Sequence, residues 1–270
     1  MRRDPQRFRT AIVLLLMGGA LLSACGPSSG SGAASGPTRA VPPSATPASK
    51  PTETASPIVS SRPDPEITFP LALGNTWVFQ LTRYEGVPTT DILTTTQVVT
   101  ETIVEIQNVT SYLVAKIHRE EGPEQPVGEI PPSRQGVPLK PAFSSDVWLV
   151  VSGNRIYRQE GKLDLSDLRT ALVELVFPIR LGAKWYRSDE KAALNPTYAD
   201  DWMLVKVTQV GSVVVPAGEF PNCFLLEEVW AGLTAETWFC PNVGVVSKKA
   251  DHHGTPSGFR QVLLRYSLNN

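Results

Sequence analysis

The chain has 270 residues, 41% of them hydrophobic and 19% charged, with a formal net charge of −1 at neutral pH. That near-neutral balance excludes a nucleic-acid partner, whose electrostatic footprint is a strong surplus of Lys and Arg. Three Cys and three His leave little material for a metal centre or a Cys-rich scaffold.

The chain opens with Arg2, Arg3, Arg7 and Arg9, then an apolar run from Ala11 to Leu22 that is too short to span a bilayer comfortably, then Leu22-Ser23-Ala24-Cys25. Cationic flank, apolar core and small residues before a cut make a secretory signal. A Cys as the first mature residue makes it a lipoprotein signal, because only a thiol can take the thioether-linked diacylglycerol. Residues 1–24 are thus read as a signal peptide and Cys25 as the site of lipid attachment, with the membrane as partner through that anchor. The reading implies an extracytoplasmic, envelope-anchored protein, and cleavage leaves a mature chain of about −4.

From Gly26 to Pro65 the chain is dominated by Ser, Gly, Ala, Thr and Pro, without an aromatic residue and with almost no large apolar ones. Such a segment cannot offset its ordering entropy, so residues 25–65 are expected to be a disordered tether. Forty residues of this composition span roughly 35 Å as flexible coil. Gly26-Pro27-Ser28-Ser29-Gly30 matches the G-x-S-x-G pattern of a hydrolase nucleophile elbow, but it lacks the strand before and helix after that the elbow needs.

Beyond Pro65 the composition turns to β-branched and aromatic runs broken by Gly, Pro and Asn, the pattern of an all-β domain over 66–270. Strands are expected over 76–84, 92–107, 111–119, 146–151, 155–159, 184–188, 202–210, 213–216, 222–230, 235–240, 243–249 and 259–267. Ser152-Gly153-Asn154 reads as a hairpin turn and Gly211-Ser212 as another. The Pro- and Gly-rich stretch from Glu120 to Pro141 reads as a long loop lying over an open end. Between Asp164 and Val176, Leu165, Leu168, Leu172, Leu175 and Val176 recur at helical spacing before Pro178, so one short helix is expected there, with a strand over 172–177 as the competing reading. The fold class is therefore mainly β: a single antiparallel curved sheet or half-barrel of about ten to twelve strands with one short helix, after the disordered tether.

Phe69-Pro70-Leu71-Ala72-Leu73-Gly74-Asn75-Thr76-Trp77 recurs as Phe177-Pro178-Ile179-Arg180-Leu181-Gly182-Ala183-Lys184-Trp185. Pro fixes φ, Gly permits a positive φ, two alternate aliphatics are expected to point inward, and each Trp opens a strand as a buried corner. Trp148 and Trp202 sit among apolar neighbours on strands and are the candidate ligand contacts.

Cys223 and Cys240 form an even exported pair whose spacing fits no zinc pattern, which favours a disulfide. If Ala231-Gly232 is a two-residue hairpin loop, Trp230 pairs with Leu233 and Cys223 falls opposite Cys240. A four-residue loop would shift that register by two. Asp251-His252-His253 reads as a polar loop rather than a metal site, because neighbours on a strand point to opposite faces. The pairs Asp189-Glu190, Asp200-Asp201 and Glu227-Glu228 suffer from the same adjacency. No Ser lies in a nucleophile context, so no catalytic, cofactor or metal residues are assigned and a non-enzymatic role is expected.

Pro70-x-x-x-Gly74-x-x-Trp77, Val215-Pro216-Ala217-Gly218-Glu219-Phe220-Pro221-Asn222-Cys223 and Trp238-Phe239-Cys240-Pro241-Asn242-Val243-Gly244-Val245-Val246 together resemble a family of bacterial exported lipoproteins. The resemblance implies a half-barrel similar to lipoprotein carriers of the LolA/LolB type, whose concave face holds acyl chains. It brings no catalytic residues. Where the family commonly has Ala or Ser, this chain has Cys240. Three roles follow as expectations: a binding or carrier module for an apolar ligand or an envelope partner, a structural or interaction lipoprotein with a filled interior, or a hydrolase without a recognisable motif.

Overall fold

The computed structural model describes residues 69–87, 91–188, 203–230 and 232–269. The signal peptide, the tether, Cys25 and Trp202 lie outside these residues, as do Asp189-Glu190 and Asp200-Asp201.

The strands are β1 (Thr76–Val87), β2 (Asp91–Val109), β3 (Tyr112–Glu121), β4 (Gln125–Pro126), β5 (Phe143–Ser152), β6 (Arg155–Glu160), β7 (Leu172–Val176), β8 (Lys184–Tyr186), β9 (Leu204–Val215), β10 (Gly218–Trp230), β11 (Leu233–Cys240), β12 (Gly244–His252) and β13 (Ser257–Ser267). All pair antiparallel in one sheet of order β7-β6-β5-β3-β2-β1-β13-β12-β11-β10-β9-β8, with the two-residue β4 beside β2. The sheet curls until its ends, β7 and β8, almost meet, so that the expected curved antiparallel sheet is nearly closed into a barrel.

The sequence repeat sets this architecture. Leaving β4 aside, the sheet is two six-stranded meanders, β1 to β7 and β8 to β13, each opened by one copy of the Phe-Pro-x-x-Leu-Gly-x-x-Trp corner. Gly74 and Gly182 take φ of 84° and 82°, the left-handed region that favours glycine. Each corner then clips onto the second strand of its own meander: Gly74 N–H donates to Ile103 O and Ile103 N–H to Asn75 O, while Gly182 N–H donates to Val207 O and Val207 N–H to Ala183 O. The corner Trp residues are buried, Trp77 3% and Trp185 7% exposed. Only the first aliphatic of each corner turns inward, however. Ile179 is buried and Leu71 half-buried, but Leu73 and Leu181 are 59% and 64% exposed, because the turn that prepares the glycine breaks the two-residue alternation.

Three further expectations change. The segment from Asp164 to Val176 is not a helix of several turns. Asp167 caps a single 3-10 turn over Leu168–Thr170, accepting from Arg169 N–H, and the chain then runs straight into β7. The stretches 202–210 and 213–216 are one strand, since Gly211 sits beside a register shift opposite Cys223 instead of in a turn; glycine inside a strand commonly marks such an irregularity. The turn comes later, at Pro216-Ala217. The stretch from Glu120 to Pro141 is not loop throughout: β3 runs to Glu121, and where it stops the next residues take over its place beside β2, with Gly122 N–H donating to Val98 O and Val127 N–H to Thr94 O.

Cys223 and Cys240 are joined by a disulfide, with Cα atoms 4.2 Å apart. The β10–β11 register places Trp230 opposite Leu233 and Phe224 opposite Phe239, the register of a two-residue loop. Glu227 stands opposite Glu236, and Lys249 Nζ, 2.7 Å from Glu236, offsets the like charges.

Candidate functional site

The space most open to a ligand in such a fold is the barrel interior, and the described residues fill it. Trp77 and Phe79 of β1, Ile103 of β2, Ile117 of β3, Leu149 of β5, Val205 and Val207 of β9, Phe224 and Leu226 of β10 and Phe239 of β11 are buried in one continuous cluster. Phe69, ahead of the first corner, stacks on Phe239 at 6.2 Å between ring centroids and closes that part of the interior. Among the described residues, a cavity of about 60 Å³ is lined by Phe69, Trp77, Phe79, Ile156, Leu175 and other apolar groups, with Glu101, Arg158 and Glu174 as its charged walls. That is well under the roughly 150 Å³ that admits a benzene ring.

Charge is built into the same interior. In the first meander, the Arg119 guanidinium donates to Glu101 at 2.6 Å and to Glu121 at 2.9 Å. Glu121 also accepts from Gln97 Nε2 at 2.6 Å and from Arg83, which reaches on to Glu124 at 3.0 Å. Burial alone would raise the Glu121 carboxyl, but Arg119, Gln97 and Arg83 outweigh it and hold its pKa below the ordinary value.

The second group centres on Arg187, directly after β8 and 4% exposed. Its guanidinium donates to the Glu228 carboxylate at 2.7 Å, the Glu174 carboxylate at 2.8 Å, and the carbonyls of Val173 and Glu174 at 3.4 and 3.2 Å. These are the donors of a planar fork fully used, which a Lys could not reproduce. Burial penalises the Glu174 carboxylate, yet Arg187, Lys248 and Arg158 together pull its pKa down to about 2. Lys248 is enclosed in the same group but makes no ion pair or hydrogen bond with any described residue; burial lowers its pKa, opposed by Glu174 and Glu228. Nothing in the local sequence marks Arg187, whose carboxylate partners lie 13 and 41 residues away. An inward-facing Arg in a fold this apolar is found only from the structure.

Trp148 is not part of the interior. It pairs with Lys116 and Gln159 on the outer wall, one residue out of phase with inward-facing Leu149. There its indole N–H donates to Gly161 O at 2.9 Å and Lys116 Nζ lies 5.5 Å from its ring centroid. Beside it, Asp146 accepts from His118 at 3.0 Å and pairs with Lys116 at 2.9 Å. At the rim of the barrel, Asp251 accepts from the Tyr84 hydroxyl, and burial together with that carboxylate pushes the Tyr84 pKa up to about 12. His252 Nδ1 accepts from Gly254 N–H and His253 meets the Thr234 hydroxyl. Among the described residues no cluster of three or more His, Cys, Asp or Glu could hold a metal ion.

Fold and interior together define a plugged, internally duplicated antiparallel barrel. No family model matches the chain, and no curated protein matches it. The solved structures similar to it include two bacterial proteins. One, described as an exported protein with a YmcC-like fold from Bacteroides fragilis, is 12% identical, with a TM-score of 0.37 over 75% of this chain and 99% of that one. The other, described as a lipoprotein from Parabacteroides distasonis, is 12% identical, with a TM-score of 0.41 over 76% of this chain and 100% of that one.

Proposed function

We propose that this protein is an extracytoplasmic lipoprotein, anchored through Cys25 and a tether over residues 25–65, whose barrel serves as a non-enzymatic interaction module and not as a carrier of acyl chains. The observation that carries this reading is the filled interior. A carrier needs a continuous apolar groove with room for a chain of methylenes, whereas the described core leaves about 60 Å³ with three charged groups in its walls. Recognition of an envelope partner would then fall to the outer wall. There Val98 and Phe143 are 48% and 61% exposed beside an open groove of about 470 Å³ that also takes in Thr100, Glu120 and Ser144.

The test is native mass spectrometry of the full-length protein extracted from a bacterial envelope, paired with titration by fluorescent fatty acids. The expected result is the mass of the polypeptide plus its covalent lipid, with no saturable binding. A stoichiometric non-covalent lipid that survives purification would restore the carrier reading.

A further inference from the structure

Two junctions join the meanders, and they are built very differently. The first strand of the first meander meets the last strand of the second in a ladder of ten residue pairs, from Thr76 opposite Ser267 to Glu85 opposite Ser257. The corresponding junction on the other side sets β7 against β8, and no ladder forms there among the described residues. Among the same residues one backbone hydrogen bond crosses it, from Val173 N–H to Arg187 O at 2.8 Å. Otherwise the side chain of Arg187 does what a neighbouring strand would do. It supplies donors to the carbonyls of Val173 and Glu174 on β7, while its charge is matched by Glu174 on one side of the junction and Glu228 on the other. Behind the junction lies the interior cavity, two of whose walls, Glu174 and Leu175, belong to β7 itself.

We propose that the β7–β8 seam is the place where this barrel opens, with Arg187 as its latch, and that the interior cavity reaches solvent by that route. A ladder of ten pairs opens only when most of the barrel unfolds. A junction of one backbone hydrogen bond and one guanidinium opens locally when that guanidinium lets go. Because the latch is an ion-pair cluster whose carboxylates also offset the charge of Lys248, neutral replacements of matched shape at all four positions remove it without leaving an uncompensated buried charge. The seam stands on the barrel geometry alone and is independent of the lipid anchor.

Hydrogen exchange of the full-length protein, followed by mass spectrometry across a series of sub-denaturing urea concentrations, tests it. Peptides covering 172–176 and 184–188 should exchange at least tenfold faster than those covering β1 and β13, with little dependence on urea. The quadruple variant Arg187→Met, Glu174→Gln, Glu228→Gln, Lys248→Met should speed the seam peptides by a further tenfold or more and leave β1 and β13 unchanged. If the seam peptides of the unmodified protein exchange only with the global, urea-dependent transition, there is no local opening and the proposal fails. If the quadruple variant accelerates every strand alike, Arg187 is a general support and not a latch.

Discussion

The two corner tryptophans occupy equivalent places and are not equivalent in energy. Trp77 Nε1 donates to Val243 O at 2.7 Å, whereas Trp185 Nε1 is buried without a partner among the described residues. Replacing either by Ala should cost about 3–5 kcal/mol as a core truncation. Replacement by Phe separates them: Trp77→Phe strands the Val243 carbonyl at about 1–3 kcal/mol, while Trp185→Phe removes a donor that is already unsatisfied and should cost clearly less. Urea denaturation of the two Phe variants reads this difference, and equal losses would contradict it. Lys248 gives a second residue-scale prediction. An enclosed ammonium without a hydrogen bond carries a desolvation cost that its distant carboxylates only partly offset, so Lys248→Met should be no less stable than the parent at pH 7, measured the same way. The Glu174 carboxyl sets a pH window. Its folded pKa is depressed from 4.5 to about 2, so its contribution to stability is whole above pH 4.5 and is lost as pH falls towards 2. The melting temperature should drop across that interval, and Glu174→Gln should flatten the drop. The burial of Trp77 and Trp185 was legible because the sequence repeats them in one setting. The outward turn of Leu73 and Leu181 was not, since the alternation rule has no term for the turn that the next glycine requires.

At the scale of elements, periodicity found the strands and misplaced what joins them. Leu165, Leu168, Leu172 and Leu175 satisfy a helical face and a strand-plus-loop equally well. The outcome was decided by the edge of β6, which offers a ladder to Leu172–Val176 that no local sequence encodes. Gly211 looked like a turn for the converse reason: glycine serves both turns and irregular strand positions, and only the pairing with β10 distinguishes them. The β10–β11 register was readable, because a short loop and two cysteines constrain each other. Their disulfide spans a sequence separation of 17 residues and should stabilise the domain by about 3 kcal/mol in the chain-entropy model. The paired variant Cys223→Ala, Cys240→Ala should lose about that much in urea denaturation, and reduction of the parent protein should reproduce the loss. A variant as stable as the parent would show that β10 and β11 hold their register without the crosslink.

On the scale of the whole molecule, the sequence carries the pattern of an amino-terminal export and anchoring signal, which lies outside the described residues, whereas nothing in it marks the interior. Two meanders bring two sets of charged side chains to the inside of one barrel, and a charge pattern assembled from seven strands across more than a hundred residues has no linear signature. The proposed function implies a division of labour, with location set by residues 1–65 and any recognition set by the barrel. A single acyl chain holds a protein to a membrane only marginally, while the two or three chains of a processed lipoprotein hold it stably. Full-length protein expressed in a bacterium should therefore partition into the detergent phase and sediment with membranes. Cys25→Ser removes the thiol that must be lipidated before the signal is cut, so the variant should be retained as an uncleaved precursor or released unlipidated, with the same barrel. Circular dichroism of the released form would show the same strand content, which confines the effect to the anchor. Cleavage at the same position with undiminished membrane retention would mean that the protein is held by something other than a lipid on Cys25, and the outer wall of the barrel would then be the first place to look for it.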